Sequence, residues 1–194
     1  MKNITLGFAL TGSFCTLDNI FPILEQAAQR CAAVVPIVSF AVAQSDTRAG
    51  TAQDFLRRIL EVTGKAPIRT IQDAEPIGPA ALLDALVVAP CTGNTLAKLA
   101  HGITDTPVTM ACKAHLRNER PLILSISTND GLSANAGSVG MLLNRQNVYF
   151  VPFRQDDPGR KRHSLIADLS LLLPAVEAAL AGKQLQPLLL CPPD

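Results

Sequence analysis

Ala85-Leu86-Val87-Val88-Ala89-Pro90-Cys91-Thr92-Gly93-Asn94-Thr95-Leu96-Ala97-Lys98-Leu99-Ala100-His101 decides the fold. Its first five residues are apolar without alternation, which predicts a strand buried on both faces. The polar turn after Pro90 carries two threonines, an amide and a glycine, and Thr95 or Asn94 is placed to cap a helix over Thr95–His101. A buried strand that ends in a polar turn and runs into a helix is half of a βαβ unit.

The same pattern recurs outward from this stretch. Strands are expected over Ile4–Leu10, Val34–Phe40 and Pro121–Ile126, with a last one over Asn147–Val151 and a short one over Pro67–Ile71. Between them, helical periodicity predicts a helix from Leu17 to Cys31, with Asp18 or Asn19 as its cap and Pro22 in its first turn. Further helices fit Thr51–Val62, Pro107–Arg117, Ser133–Leu143 and Asp168–Ala181, the last stopped by Gly182, and Pro79–Asp84 reads as a helix end. The segment Arg154–His163 reads as a solvated loop or, alternatively, as a cover over an anionic ligand. The predicted architecture is a doubly wound three-layer α/β sandwich with a mainly parallel sheet, a single domain over residues 1–194.

Composition narrows the function classes. The chain has 194 residues, 48% of them hydrophobic and 17% charged, and 17 Lys+Arg against 16 Asp+Glu leave a net charge of +1. That balance excludes a disordered polyelectrolyte and offers no global attraction to nucleic acid. One Tyr and no Trp leave little for base stacking. Cys15, Cys31, Cys91, Cys112 and Cys191 are scattered and odd in number, which favours reduced thiols and a cytoplasmic setting. No apolar run approaches a membrane span. The apolar start after Lys2 is interrupted by Gly7 and reads as a buried strand, not an export signal.

In doubly wound sheets ligands bind beyond the carboxyl ends of the strands. That rule selects Thr11-Gly12-Ser13, Ser39, the Cys91–Thr95 loop and Ser127-Thr128-Asn129. The first segment lets backbone approach a ligand at Gly12 and presents a helix start to an anion; a monophosphate suits it better than a pyrophosphate, since three spaced glycines are missing. An ordinary turn with a cap is the competing reading. The amide and hydroxyls of Thr92, Asn94 and Thr95 suit the polar edge of a planar heterocycle, whereas Cys91 also reads as a small packed hydrophobe. His101, His115 and His163 share no metal-ligand spacing, so no metal site is expected.

From Pro90 to Asp105 the chain resembles the flavoprotein family of homo-oligomeric flavin-containing cysteine decarboxylases. That family's signature reads Pro-Ala-Ser/Thr-Ala-Asn-Thr and continues into a similar Ala-Lys-x-Ala-x-Gly-Ile-x-Asp helix. Of its second motif only Asn129 is retained between Ile126 and Ser133, and the decarboxylase histidine has no counterpart in Asp73–Pro79, which disfavours cysteinyl decarboxylation. One branch of the family matches through Leu10–Ser13, Ser45–Arg48, Ala74–Pro79, Ala114–Asn118, Ser127–Asp130, Phe150–Phe153, Gln155–Pro158 and Gly182–Pro187, with Phe14 where that branch has His. The resemblance implies FMN as cofactor, with Gly12, Ser13 and Ser39 toward its phosphate and ribityl end. It also implies Cys91, Thr92, Asn94 and Thr95 along the ring, and Ser127, Thr128 and Asn129 nearby. It further implies a homo-oligomer, a role in sporulation, oxidation of a dihydropyridine dicarboxylate, and a partner chain with a nicotinamide-dinucleotide domain. Arg48 or Lys113 are candidates to meet the substrate carboxylates. The alternative is an assembly role, with the chemistry carried by the partner.

Overall fold

The computed structural model describes residues 1–47 and 50–191, and the side chain of Cys15 is not among what it describes. Arg48 therefore lies outside the described residues. The element order is β1 (Thr5–Leu10), α1 (Phe14–Arg30), β2 (Ala33–Val38), α2 (Phe40–Gln44), α3 (Ala52–Thr63), α4 (Ile71–Ala74), β3 (Ala85–Cys91), α5 (Gly93–Ala100), α6 (Pro107–Leu116), β4 (Leu122–Thr128), α7 (Ala136–Leu143), β5 (Val148–Phe150), β6 (Phe153–Asp157), β7 (Lys161–Ala167) and α8 (Leu172–Leu180).

β2, β1, β3, β4 and β5 lie side by side in that order, all parallel. All seven residues of β3 are buried, as its unbroken apolar run requires. α1 packs on α3 and α8, whereas α5 packs on α6 and α7. The expected α/β sandwich with a mainly parallel sheet is what forms. Because β1 is flanked by β2 on one side and β3 on the other, the chain reverses its winding direction there. Crevices open at such a reversal, outside the carboxyl ends of the strands.

Local chemistry sets the boundaries. Thr51 and Asp54 form a reciprocal capping box at the start of α3, and Gly64 ends it in a left-handed conformation. α1 buries Leu17, Ile20, Phe21, Leu24 and Ala27 on one face. It begins at Phe14 with Ser13 as its flanking residue, not at Asp18 or Asn19, and Pro22 lies inside it on the exposed side. There the missing N–H leaves a carbonyl that water can reach.

Three further expectations are corrected. Pro67–Ile71 contributes only a single bridge, Ile68 beside Ile37, because Thr70 caps the turn of α4 straight after it. Pro79–Asp84 is a turn with Ala81 at a φ of 47°, so no helix ends there. The largest correction is Arg154–His163, which is mostly a β-hairpin. β6 and β7 pair antiparallel, and β7 continues the sheet by pairing Ile166 with Ser127 and Leu165 with Thr128 of β4. Among the described residues no helix is long and apolar enough to cross a membrane.

Candidate functional site

Two adjoining cavities open at the carboxyl ends of β1, β3 and β4. One, of about 380 Å³, lies between the start of α1, the end of β4 and the hairpin, and Ser13, Thr16, Ser127, Thr128, Asn129 and Lys161 are among its walls. The other, of about 370 Å³, lies between the end of β2 and α5, with Thr11, Ser39, Thr95, Lys98 and Thr106 among its walls. Gly12, Thr92 and Asn94 line both. Ten of the eleven residues singled out in the sequence therefore meet around one crevice.

The exception is Cys91. It is fully buried and lines neither cavity, and burial pushes its thiol up to about 12. As the last residue of β3 it packs as a small neutral hydrophobe, the competing reading of that position. Burial likewise raises Cys112. Ser13 and Ser39, grouped by the resemblance at one end of a cofactor, open onto different cavities that share Gly12.

Thr11 ties the two central strand ends together. Its hydroxyl donates to the Pro90 carbonyl at 2.6 Å and accepts from the Thr92 amide at 3.1 Å. The Thr92 hydroxyl in turn accepts from the Thr95 amide at 3.3 Å, so Thr92 caps α5, and neither Asn94 nor Thr95 does. Asn94 is exposed on the first turn of α5 at the junction of the cavities. Gly12 has to be small here, since a Cβ would stand 3.0 Å from that of Ala41 across the second cavity.

The first cavity is bounded by paired hydroxyls. Ser13 Oγ lies 2.9 Å from Ser127 Oγ and 3.1 Å from Thr16 Oγ1, and Thr16 Oγ1 lies 3.0 Å from Ser127 Oγ. Asn129 Oδ1 accepts from Ser164 Oγ of β7 at 3.2 Å. The Asp130 carboxylate accepts from the Thr128 hydroxyl and, at 2.9 Å, from Asn135 Nδ2. Asn135 Oδ1 is buried and makes no hydrogen bond. This network presses against Gly93, the first residue of α5.

The hairpin supplies residues that strand-end reasoning does not reach. Asp156 and Lys161 pair at 2.5 Å and line the first cavity, together with Ser164, Leu165 and Ile166. Arg154 bonds Asp168 at 2.9 Å, fastening the base of the hairpin to the start of the last helical segment. Asp157-Pro158-Gly159 between two alternating runs is the sequence signal for that hairpin. Lys98 in the second cavity is held by Asp105, whose two oxygens lie 2.8 and 2.9 Å from Nζ. Lys113 is remote from both cavities, beside Glu75, Met110 and Arg117. Phe14 packs against Phe55 with ring centroids 6.3 Å apart, and among the described residues no histidine lines either cavity. Among the same residues there is no cluster suited to a metal ion.

Residues 1–146 match the flavoprotein family. The B subunit of dipicolinate synthase from Bacillus subtilis (strain 168) is 44% identical over 189 residues, covering 97% of this chain and 94% of the relative. The crystal structure of the dipicolinate synthase B subunit from Bacillus halodurans superposes with a TM-score of 0.90 at 40% identity, over 98% of this chain and 97% of that one. A more distant likeness, of fold alone, is to the FMN-dependent cysteine decarboxylase SpaF, with a TM-score of 0.65 at 21% identity over 92% of this chain and 96% of that one. This chain belongs to the flavoprotein family, and the relatives that match it from end to end are B subunits of dipicolinate synthase.

Proposed function

We propose that this chain, acting as a single domain, binds FMN in the joined cavities and oxidises dihydrodipicolinate to dipicolinate, together with the A subunit of dipicolinate synthase. The observation that carries this reading is the junction itself. Backbone at Gly12, the capped start of α5 at Thr92 and the Asn94 amide stand between two cavities, at the point where the winding of the sheet reverses. The residues present fit the cofactor: the crevice is lined mainly by hydroxyls and amides, and Gly12 leaves open the space that a Cβ would fill. A neutral lining of this kind orients a flavin through hydrogen bonds.

When bound, FMN supplies a two-electron acceptor, and aromatisation of the dihydropyridine ring favours its use. The chain's own part is to position and to exclude water. Asn94 and Thr92 address the polar edge of the ring system, while Ser127, Thr128 and Asn129 border the space beside it. The hairpin covers that space, and Lys161 brings a cation toward a substrate carboxylate by exchanging its partner Asp156. Cysteinyl decarboxylation fits less well, because among the described residues neither cavity has an imidazole.

Flavin fluorescence titration of the purified protein, followed by assay of dipicolinate formation with the A subunit added, tests the proposal. Saturable FMN binding and FMN-dependent formation of dipicolinate are expected. Unchanged dipicolinate formation by protein stripped of flavin would leave this chain with an assembly role. That second reading draws on Asp130, the carboxylate at the base of the first cavity, being engaged by Thr128 and Asn135. Sporulation, a cytoplasmic location and homo-oligomers belong to the same proposal, drawn from the relatives.

A further inference from the structure

The two cavities differ in charge. Asp130, Asp156 and Lys161 line the first. The second has Lys98 as its charged wall residue, with the hydroxyls of Ser39, Thr95 and Thr106 around it and, among the described residues, no carboxylate in its lining. Lys98 sits in the last turn of α5 with its side chain 21% exposed, and the Asp105 that holds it is 57% exposed and outside the lining. A cation mostly shielded from solvent, facing hydroxyl donors, meets a doubly ionised group more favourably than a neutral one. In the first cavity the same anion would face two carboxylates.

We propose that Lys98 is a cofactor-binding residue, the charge partner of a phosphate monoester seated among Ser39, Thr95 and Thr106, and that Asp105 positions its ammonium at the cavity wall. The proposal rests on the flavin reading above and adds its polarity: the phosphate lies in the second cavity and the ring system extends past Gly12 and Asn94 toward the first. Ser39 is committed through its oxygen to the Val42 amide at 3.4 Å, which leaves its hydroxyl hydrogen for an acceptor in the cavity. The hydroxyl hydrogen of Thr95 is equally available, because that oxygen already accepts from Thr92 Oγ1 at 3.1 Å.

Comparing FMN with riboflavin isolates the phosphate. Dissociation constants for both are measured by flavin fluorescence on the wild type, Lys98→Met and Lys98→Arg, with thermal melts as a check of folding. The wild type is expected to prefer FMN, with inorganic phosphate competing against FMN and not against riboflavin. Lys98→Met should weaken FMN roughly tenfold or more and leave riboflavin unchanged, and Lys98→Arg should restore most of the loss. Asp105 is half in solvent, so the Met variant strands no buried charge and should fold. FMN binding by Lys98→Met at wild-type strength would overturn the assignment while leaving the flavin reading intact. Equal loss of FMN and riboflavin would assign Lys98 a structural role and overturn it too. Failure of the wild type to bind either flavin would remove the flavin reading itself.

Discussion

Gly93→Ala tests whether the start of α5 and the loop after β4 form one locked unit. On propensity alone the change should help, since Ala is favoured over Gly within a helix by up to about 1 kcal/mol. The structure predicts the opposite sign. The added Cβ would stand 2.5 Å from Thr128 Oγ1 and 2.7 Å from both Asn135 Nδ2 and Asp130 Oδ1. None of these atoms is the free end of a long side chain, for they are bonded to one another through the Asp130 carboxylate. Making room separates Asp130 from at least one of its two donors. Hydrogen bonds to a charged acceptor contribute about 1.5–3 kcal/mol when well shielded, and about 1 kcal/mol each is a fair value at a half-buried position. With the steric shift added, net destabilisation is roughly 1–2 kcal/mol, or a fall in Tm of about 2–8 °C for a chain of this size. Gly140→Ala is the matched control, because nothing lies within 4 Å of a Cβ at that position in α7. It should raise stability by about 0.4–1 kcal/mol. Thermal unfolding followed by circular dichroism reads both variants, and flavin affinity should fall only in Gly93→Ala, since Thr92 and Asn94 move with the helix start. A melting temperature for Gly93→Ala equal to or above that of the wild type would refute the locked-unit argument.

Two other changes separate roles that the sequence left entangled. Asn94→Ser should leave Tm unchanged while weakening FMN roughly five- to a hundred-fold, whereas Thr92→Ala should cost about 1 kcal/mol of stability by removing the cap of α5; a fall in Tm for Asn94→Ser, read by the same melts, would return the cap to Asn94. His115 is fully buried, with Nε2 3.0 Å from the Pro121 carbonyl and Nδ1 unbonded, and burial lowers it from 6.5 to about 4. Its neutral form therefore stabilises the fold fully above pH 6.5, and that stability is lost at roughly 1.4 kcal/mol per pH unit as pH falls toward 4; urea unfolding across pH 4–7 should show this acid limb, and His115→Gln should flatten it.

The fold was legible because its central strands carry a strong and simple signal. Ala85–Ala89, Ile4–Leu10 and Pro121–Ile126 are apolar on both faces, and only a sheet covered on two sides buries such runs. Elsewhere the local signal is contradicted by a tertiary partner. Arg154–Asp157 and Arg160–His163 are so polar that they suggest a solvated loop, yet the polar outer face belongs to a hairpin anchored by Leu165 and Ile166 on the end of β4. Proline is tolerated in a first turn, which is the place the local rule gives Pro22, but the buried face of α1 extends two turns before it, through Leu17, Ile20 and Phe21.

The site was legible for a different reason, and its gaps follow from that reason. Strand ends in a doubly wound sheet are the places a ligand can reach, so polar residues there could be found without knowing what binds. Position in the chain does not say which way a side chain points, and Cys91 shows the cost: one residue before the cap of α5, it turns into the core, while Thr92 opens on both cavities. Nor does it reveal residues that arrive from elsewhere. Lys98 enters from the last turn of a helix, and Lys161 from a hairpin far along the chain from the loop after β4. These two are cations of the crevice, one in each cavity, and each is held by an aspartate. Asp105 stands outside the cavity that Lys98 faces, whereas Asp156 lines the same cavity as Lys161. A permanent anion such as a phosphate is best served by the first arrangement, because its counter-charge is not shared within the cavity. A carboxylate that must enter and leave is best served by the second, because the protein's own carboxylate takes its place on departure. The two ion pairs thus fit a retained cofactor on one side of Gly12 and an exchanging substrate on the other.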